Sequence, residues 1–216
     1  SYGSGNKPII DGNGYHAAIF INNEEYIEIR NIEVKNEATH QKDNGDLRLM
    51  NNSSLSGQNL RFGILFLIDS NDQNLNDFKI ENVKVSNIFP TPSSGGEYQN
   101  NKYLGYGIRF ESDNTQTNYF DGIDIDNLDI SLTGHYGLHI RNRMSSRDAN
   151  YYHRNININN LSILNTGGAG LVFAGTKDVL VEHSTFKGTG SDNDSRMYNR
   201  GSGLWTYRTN DAIIQH

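Results

Sequence analysis

Apolar and polar residues alternate along much of this chain, and the alternation repeatedly slips by one position at an asparagine. Ile27 and Ile29 alternate, Asn31 interrupts, and Ile32 and Val34 resume out of phase. The pattern returns as Phe78 and Ile80, Asn82, Val83 and Val85, then as Ile123 and Ile125, Asn127, Leu128 and Ile130. It returns again as Ile156 and Ile158, Asn160, Leu161 and Ile163. A weaker copy has Val179 and Val181, His183, Ser184 and Phe186, and another begins with Ala212 and Ile214 and reaches His216. Side chains alternate with a period of two along a strand, so a phase slip at a fixed point means that the backbone turns there and points inward again. Asparagine tolerates the left-handed conformation such a corner needs, and its amide can bond to an asparagine stacked above it.

A third strand precedes each copy. It reads Gly63-Ile64-Leu65-Phe66, Gly107-Ile108-Arg109-Phe110, Gly137-Leu138-His139-Ile140, Gly170-Leu171-Val172-Phe173 and Gly203-Leu204-Trp205-Thr206, with Ala18-Ile19-Phe20-Ile21 as a first version without glycine. Hairpin signals between neighbouring strands are scarce, which argues against a sandwich. The pattern predicts an all-β, single-stranded parallel β-helix of about six coils of three strands, one domain over residues 1–216. Parallel crossovers are overwhelmingly right-handed, so a right-handed coil is expected. Both ends break off inside the pattern, and the expectation is a segment of a longer chain.

Between corner residues the spacing varies while the corner itself does not grow. Insertions fall at 37–60, 89–104, 142–153 and 188–201, all flanking the glycine-led strand. Loops of variable length around one face of a regular scaffold usually build a binding site. On that face Ile64, Phe66, Ile108, Phe110, Leu138, Ile140, Leu171, Phe173 and Leu204 point inward. One outward row then runs Phe20, Leu65, Arg109, His139, Val172, Trp205, and the next Asn22, Leu67, Glu111, Arg141, Ala174, Tyr207. Six strands about 4.8 Å apart span roughly 24 Å, which suits a short run of sugar units.

Composition narrows the choice of partner. The net charge is −6 with no basic run, which argues against nucleic acid. The chain has no cysteine, so disulfides and thiolate metal sites are excluded. No apolar run approaches the length of a membrane span. The hydrophobic share of 35% is low for a compact globule and fits a narrow coil with much of its surface in loops.

The outward rows carry the candidate chemistry. Arg109, His139, Glu111 and Arg141 form a square on two neighbouring strands, with Arg143 and Arg147 in the loop that follows. Guanidinium groups beside an imidazole could neutralise a uronate carboxylate while the imidazole takes the adjacent proton, which is what β-elimination requires. Glu111 could instead serve hydrolysis, which needs a second carboxylate; Asp113 and Asp121 are the nearest in sequence. Stacked Glu and Arg on adjacent strands also form ladders that only aid solubility. Trp205 and Tyr207, with Tyr198 and Tyr106, could form an aromatic platform for sugar rings, or pack beneath a loop. Asp192-Asn193-Asp194-Ser195 offers oxygen ligands of the kind calcium prefers, without the spacing of a calcium loop.

The opening Tyr2-Gly3-Ser4-Gly5, Lys7-Pro8-Ile9-Ile10-Asp11-Gly12 and Glu25-Tyr26-Ile27-Glu28-Ile29-Arg30-Asn31 resembles the start of bacterial right-handed parallel β-helix proteins of the pectate-lyase-like superfamily. Gly203-Leu204-Trp205 and Ala212-Ile213-Ile214-Gln215-His216 are similar to later rungs of such proteins. The resemblance implies a secreted, extracellular or periplasmic protein that acts on a polysaccharide or oligosaccharide, as a polysaccharide lyase or glycoside hydrolase, in some members with calcium. It equally implies the non-catalytic alternative, a glycan-binding or tailspike-like β-helix. No match to a pectate-lyase calcium cluster or to a polygalacturonase pair of aspartates is present. The arginine and histidine cluster favours a lyase on a uronate-containing glycan, with His139, Arg141, Arg109 and Glu111 catalytic and Trp205, Tyr207, Arg143, Arg147 and Tyr106 binding substrate.

Overall fold

The structure is a computed structural model and describes residues 5–38, 59–70, 73–90, 103–112, 117–143 and 148–215. It is all-β. Thirteen strands run β1 (Ile9–Asp11), β2 (Ala17–Asn22), β3 (Ile27–Arg30), β4 (Glu33–Glu37), β5 (Asn59–Ile68), β6 (Asn74–Phe89), β7 (Tyr103–Ser112), β8 (Tyr119–Thr133), β9 (Leu138–Asn142), β10 (His153–Thr166), β11 (Leu171–Glu182), β12 (Thr185–Thr189) and β13 (Leu204–Ile214). The sole helical element among the described residues is a single 3-10 turn, Ala149–Tyr151. Every strand pairing is parallel, and the order β1-β4-β6-β8-β10-β11-β9-β7-β5-β2, with β12 on β10, β13 on β11 and β3 on β6, forms one sheet that wraps nearly closed. This arrangement is consistent with a parallel β-helix.

The expected asparagine corner exists, and it is the middle one of three. Asn31, Asn82, Asn127 and Asn160 all have positive φ, between 52° and 56°. The amide Nδ2 of Asn82 donates to Asn31 Oδ1 (2.6 Å) and that of Asn127 to Asn82 Oδ1 (3.0 Å). At the next layer Asn160 Nδ2 turns instead to Asp126 Oδ1 (3.0 Å), and His183, with φ 47°, bonds Asn159 Oδ1 at 2.9 Å. Five residues before each corner lies a second one, at Tyr26, Asp77, Gly122, Asn155 and Asp178, and five residues after it a third, at Asn87, Leu132, Asn165 and Gly188, again all at positive φ. One left-handed residue every fifth position makes β6, β8 and β10 long yet bent, and each bend resets which side chains face inward.

The glycine that opens the third strand has a packing reason. A Cβ on Gly63 would lie 2.5 Å from Gly107 O, on Gly107 2.4 Å from Gly137 O, and on Gly137 and Gly170 2.7 Å from the next glycine's carbonyl oxygen. From Gly63 to Gly170 the backbones therefore stack too closely for a side chain, while Ala18 stands at the equivalent place in the first layer.

The core is a set of like-with-like files. Phe66 and Phe110 stack with centroids 4.2 Å apart, while Phe78 and Phe120 meet them edge-on. Ile80, Ile125 and Ile158 follow one another through the strand register, as do Val85, Ile130 and Ile163. All are essentially fully buried, and each such side chain contributes about 1.5–3 kcal/mol relative to leaving it in water.

Both outward rows stack in the register expected from the sequence: Phe20, Leu65, Arg109, His139, Val172 and Trp205 are successive partners, and so are Asn22, Leu67, Glu111, Arg141, Ala174 and Tyr207. The expectation of an open cleft along these rows is corrected. Leu65, Leu67, Tyr106, Arg109, Glu111, His139 and Val172 are buried, and Leu60, Phe62, Leu65, Leu67, Leu104 and Tyr106 form a second apolar cluster outside the main core. Most of the insertions at 37–60 and 89–104, together with Asp113 and Arg147, lie outside the described residues.

Replacing Asn82 separates the two reasons for asparagine. Asn82→Gly keeps the backbone freedom and loses only the amide ladder, at about 1 kcal/mol, whereas Asn82→Ala adds the left-handed penalty of about 1–2 kcal/mol. Urea unfolding should rank wild type above the glycine variant and the glycine variant above the alanine variant.

Candidate functional site

The square inferred from the sequence assembles around one buried carboxylate. Glu111 projects from β7 with no exposed surface, and Arg109, two residues earlier on the same face, holds it with Nε at 2.7 Å and Nη2 at 2.6 Å from Oε2. Arg143 Nε lies 3.4 Å and Arg141 Nη1 3.9 Å from Oε1, which has no hydrogen-bond partner among the described residues. The guanidinium of Arg109 also sits 4.8 Å above the Tyr106 ring and 5.9 Å from that of Phe62. Burial alone would lower the Arg109 pKa, but the Glu111 carboxylate and Tyr106 raise it. Three guanidinium groups around one carboxylate leave this spot positive, in a chain whose net charge is −6.

His139 is brought beside Arg109 by the register, as expected, but it is not a surface base. Burial, reinforced by the positive charges of Arg109 and Arg141, holds its pKa well below the usual histidine value, and its Nδ1 has no hydrogen-bond partner among the described residues. Tyr106 is likewise buried, its hydroxyl pushed up to about 12, chiefly by desolvation. Among the charged residues of the square, Arg141 is the accessible one, with 39% of its side chain exposed. Arg109, Glu111 and His139 therefore form a buried floor.

The open part of the site adjoins that floor through a chain of rings. Tyr106 meets Tyr136 at 5.8 Å, Tyr136 meets His139 edge-on at 5.0 Å and stacks on His135 at 3.7 Å, and His135 meets Tyr198 at 4.5 Å. Beyond these rings opens a cleft of about 450 Å³ lined by His135, Tyr136, Ala169, Tyr198, Arg200, Gly201, Ser202 and Trp205. That volume suits a small organic ligand. Trp205 is half exposed there, and Tyr207, on the next outward row, is equally exposed with Arg208 above its ring. Burial, with Arg109 adding to it, holds the His135 pKa down at about 3, so its imidazole is neutral, and its Nδ1 is buried without a partner.

A size contrast between two equivalent segments shapes the cleft. Thr133-Gly134-His135-Tyr136-Gly137 and Thr166-Gly167-Gly168-Ala169-Gly170 occupy matching places in adjacent layers, and in each the threonine hydroxyl donates to the carbonyl two residues on, at 3.0 and 2.8 Å. Where the first carries His and Tyr, the second carries Gly and Ala. A Cβ on Gly168 would lie 2.6 Å from the His135 ring and 2.7 Å from the Tyr136 ring, so the glycine is what lets both rings pack against the next layer.

The sequence reading therefore placed Trp205 in the open site and set Tyr198 near it, and it missed His135, Tyr136 and Arg200. Aligning the short segments before each glycine-led strand would have shown an aromatic residue at Phe62, Tyr106 and Tyr136 giving way to Ala169 and Ser202. A second groove, of about 560 Å³, lies on another face among Tyr26, Asn76, Asp77, Asp121, Asp124 and Asn155. Asp121 and Asp124 there accept from Asn155 (2.6 Å) and Asn157 (2.9 Å) in the next layer. The calcium expectation at Asp192–Ser195 meets a different use: Asp194 accepts from the backbone and side chain of Arg196, and no group of three or more acidic or histidine side chains fit for a metal occurs among the described residues.

No protein-family model and no curated protein matches the sequence. Among solved structures, the chain is similar to the native GH136 lacto-N-biosidase from Eubacterium ramulus, with a TM-score of 0.62 at 16% identity. The match covers 99% of this chain and 40% of that protein. At this identity the likeness concerns the fold.

Two measurements check the electrostatics. An unfolded chain takes up protons on histidine near pH 6.5, whereas folded His16 and His135 refuse them until about pH 3 and His153 until about pH 4. Stability is therefore fully present above pH 6.5 and drains as the pH falls toward 3, on the order of 2 kcal/mol at pH 5 for each of the first two. Thermal melts from pH 7.5 to 4.5 should show that decline. Glu111→Gln leaves the buried Arg109 guanidinium without its counter-charge and should cost about 3–5 kcal/mol in urea unfolding.

Proposed function

We propose that the chain is a right-handed parallel β-helix of about six coils that acts on glycans and holds its carbohydrate in the Trp205 cleft. The observation that carries this is the cleft's lining: rings of Trp205, Tyr198 and Tyr136 for sugar faces, with Arg200 and Ser202 for hydroxyl and acidic groups. The lacto-N-biosidase whose fold it shares is itself a carbohydrate-active enzyme, which supports the same reading.

Of the chemistries open to such a site, β-elimination from a uronate fits this lining best. It asks for a cation to neutralise the carboxylate and a base for the adjacent proton. Arg200 and the partly exposed Arg141 fill the first part, and Tyr198 on the cleft wall offers a hydroxyl oxygen for the second, since burial pushes the Tyr136 hydroxyl up and keeps it protonated. The role moves away from His139 because a sequestered imidazole with so depressed a pKa is a poor acceptor of a substrate proton. Arg109 and Glu111 then support the site from beneath, while Arg143, only partly exposed, contributes charge. Hydrolysis is the second reading. Its support is the glycosidase fold neighbour, together with the carboxylates of Asp77, Asp121 and Asp124 in the second groove; the Trp205 cleft itself is lined by no carboxylate among the described residues. A secreted location, outside the cell or in the periplasm, accords with a polymeric glycan as substrate.

Incubation with a panel of acidic and neutral glycans distinguishes these readings. The expected outcome is ultraviolet-absorbing unsaturated product from an acidic glycan, with Trp205→Ala weakening binding about tenfold through loss of about 1.4 kcal/mol of stacking. Reducing sugar released from a neutral glycan without unsaturation, undiminished by Trp205→Ala, would transfer the activity to the acidic groove.

A further inference from the structure

The segment between β12 and β13, residues 190–203, carries one wall of the cleft, with Tyr198, Arg200, Gly201 and Ser202. It runs lengthwise across the stacked layers. Its backbone donates from Ser191 to Thr166 O (2.8 Å), from Arg200 to Gly167 O (3.0 Å) and from Tyr198 to Gly134 O (2.9 Å), so it is tied behind both β10 and β8. A Cβ on Gly167 would lie 2.2 Å from Gly134 O and 2.5 Å from Tyr198 N, so a glycine there is what lets the segment come so close. These bonds fix its height over the sheet.

The far reach of the segment is held by one side chain. Arg196 clamps Asp194 with Nε at 2.9 Å from Oδ1 and Nη2 at 2.7 Å from Oδ2. Its remaining nitrogen, Nη1, lies 2.8 Å from Glu37 Oε1 on β4, and its guanidinium plane sits 4.1 Å from the Phe89 ring centre on β6. Glu37 and Phe89 are themselves register partners. Both edges and one face of the guanidinium are thus engaged, and only 14% of the side chain is exposed. A planar fork with a stacking face suits this combination, and a lysine does not reproduce it.

We propose that Arg196 is a positioning residue for the cleft: by pinning this strap to Glu37 and Phe89, it keeps Tyr198 and Arg200 facing Trp205. The role rests on the reading that the cleft binds a glycan, but the strap can be tested without one. Trp205 is the chain's single tryptophan, so its fluorescence reports on this wall alone.

The experiment compares the full chain with Arg196→Met, Arg196→Lys and Glu37→Gln by acrylamide quenching of Trp205 and by fluorescence titration with alginate oligosaccharide. Arg196→Met is expected to raise the quenching constant about twofold and the dissociation constant about tenfold, as the wall loses its fixed geometry. Glu37→Gln, at a half-exposed carboxylate whose loss leaves the Asp194 clamp intact, should move both readings the same way by less, and Arg196→Lys should recover part of the loss. Should Arg196→Met not fold, Glu37→Gln decides. Unchanged quenching in every folded variant overturns the proposal, even where the wild type binds glycan. Raised quenching with no binding by the wild type keeps the strap and removes the glycan reading instead.

Discussion

One backbone conformation, adopted by a single residue every five positions, organises this molecule. An L-residue at φ near +55° is held there at a cost of about 1–2 kcal/mol unless it is asparagine, aspartate or glycine, which reach it more easily. Most positions in the three files of bends are of those types, and the middle file adds an amide ladder between Asn31, Asn82 and Asn127. In β6, β8 and β10 the bend turns the chain without ending the strand, so the backbone goes on pairing through the corner, while at Asn31 and His183 the strand breaks and resumes. Because all partners are parallel and, apart from one slip between Lys35 and Asn36, in register, each layer passes its geometry to the next, and like side chains fall into files.

That regularity makes a rigid scaffold and leaves chemistry to its exceptions. On the outer face of the glycine-led strands, apolar residues and the Arg109–Glu111 ion pair are buried together, a costly arrangement unless charges are paired. Glu111 keeps Arg109 in place, Arg109 lies against Tyr106, and the ring contacts continue through Tyr136 and His135 to the open cleft. Rigid, buried polar groups thus support aromatic rings at the surface. Fixed geometry of this kind is what a binding site for a stiff, hydroxyl-rich ligand requires.

How much of this was legible in the chain follows from which forces are local. The middle file of bends could be read because Asn31, Asn82, Asn127 and Asn160 share one residue type flanked by branched apolar residues. The other two files escaped notice because Tyr26, Asp77, Gly122, Asn155 and Asp178, and likewise Asn87, Leu132, Asn165 and Gly188, vary in type while keeping the same φ. Register was recoverable in full for both outward rows, since a period of two leaves no freedom once the inward residues are known. Exposure was not, because a period of two says which way Leu65, Arg109 and Glu111 point but not that they are buried there. His135 and Tyr136 stayed hidden for a related reason: their rings pack against Gly168 of the adjacent layer, a contact that no local pattern marks.

The account comes down to where a sugar sits on this surface. A crystal structure of the chain soaked with an acidic oligosaccharide tests it most directly. The expected result is density for a sugar ring against Trp205, between Tyr198 and Arg200, with a polar group within reach of the Arg200 guanidinium. Density lying instead along Tyr26, Asp77 and Asp121, with the Trp205 cleft empty, would contradict it.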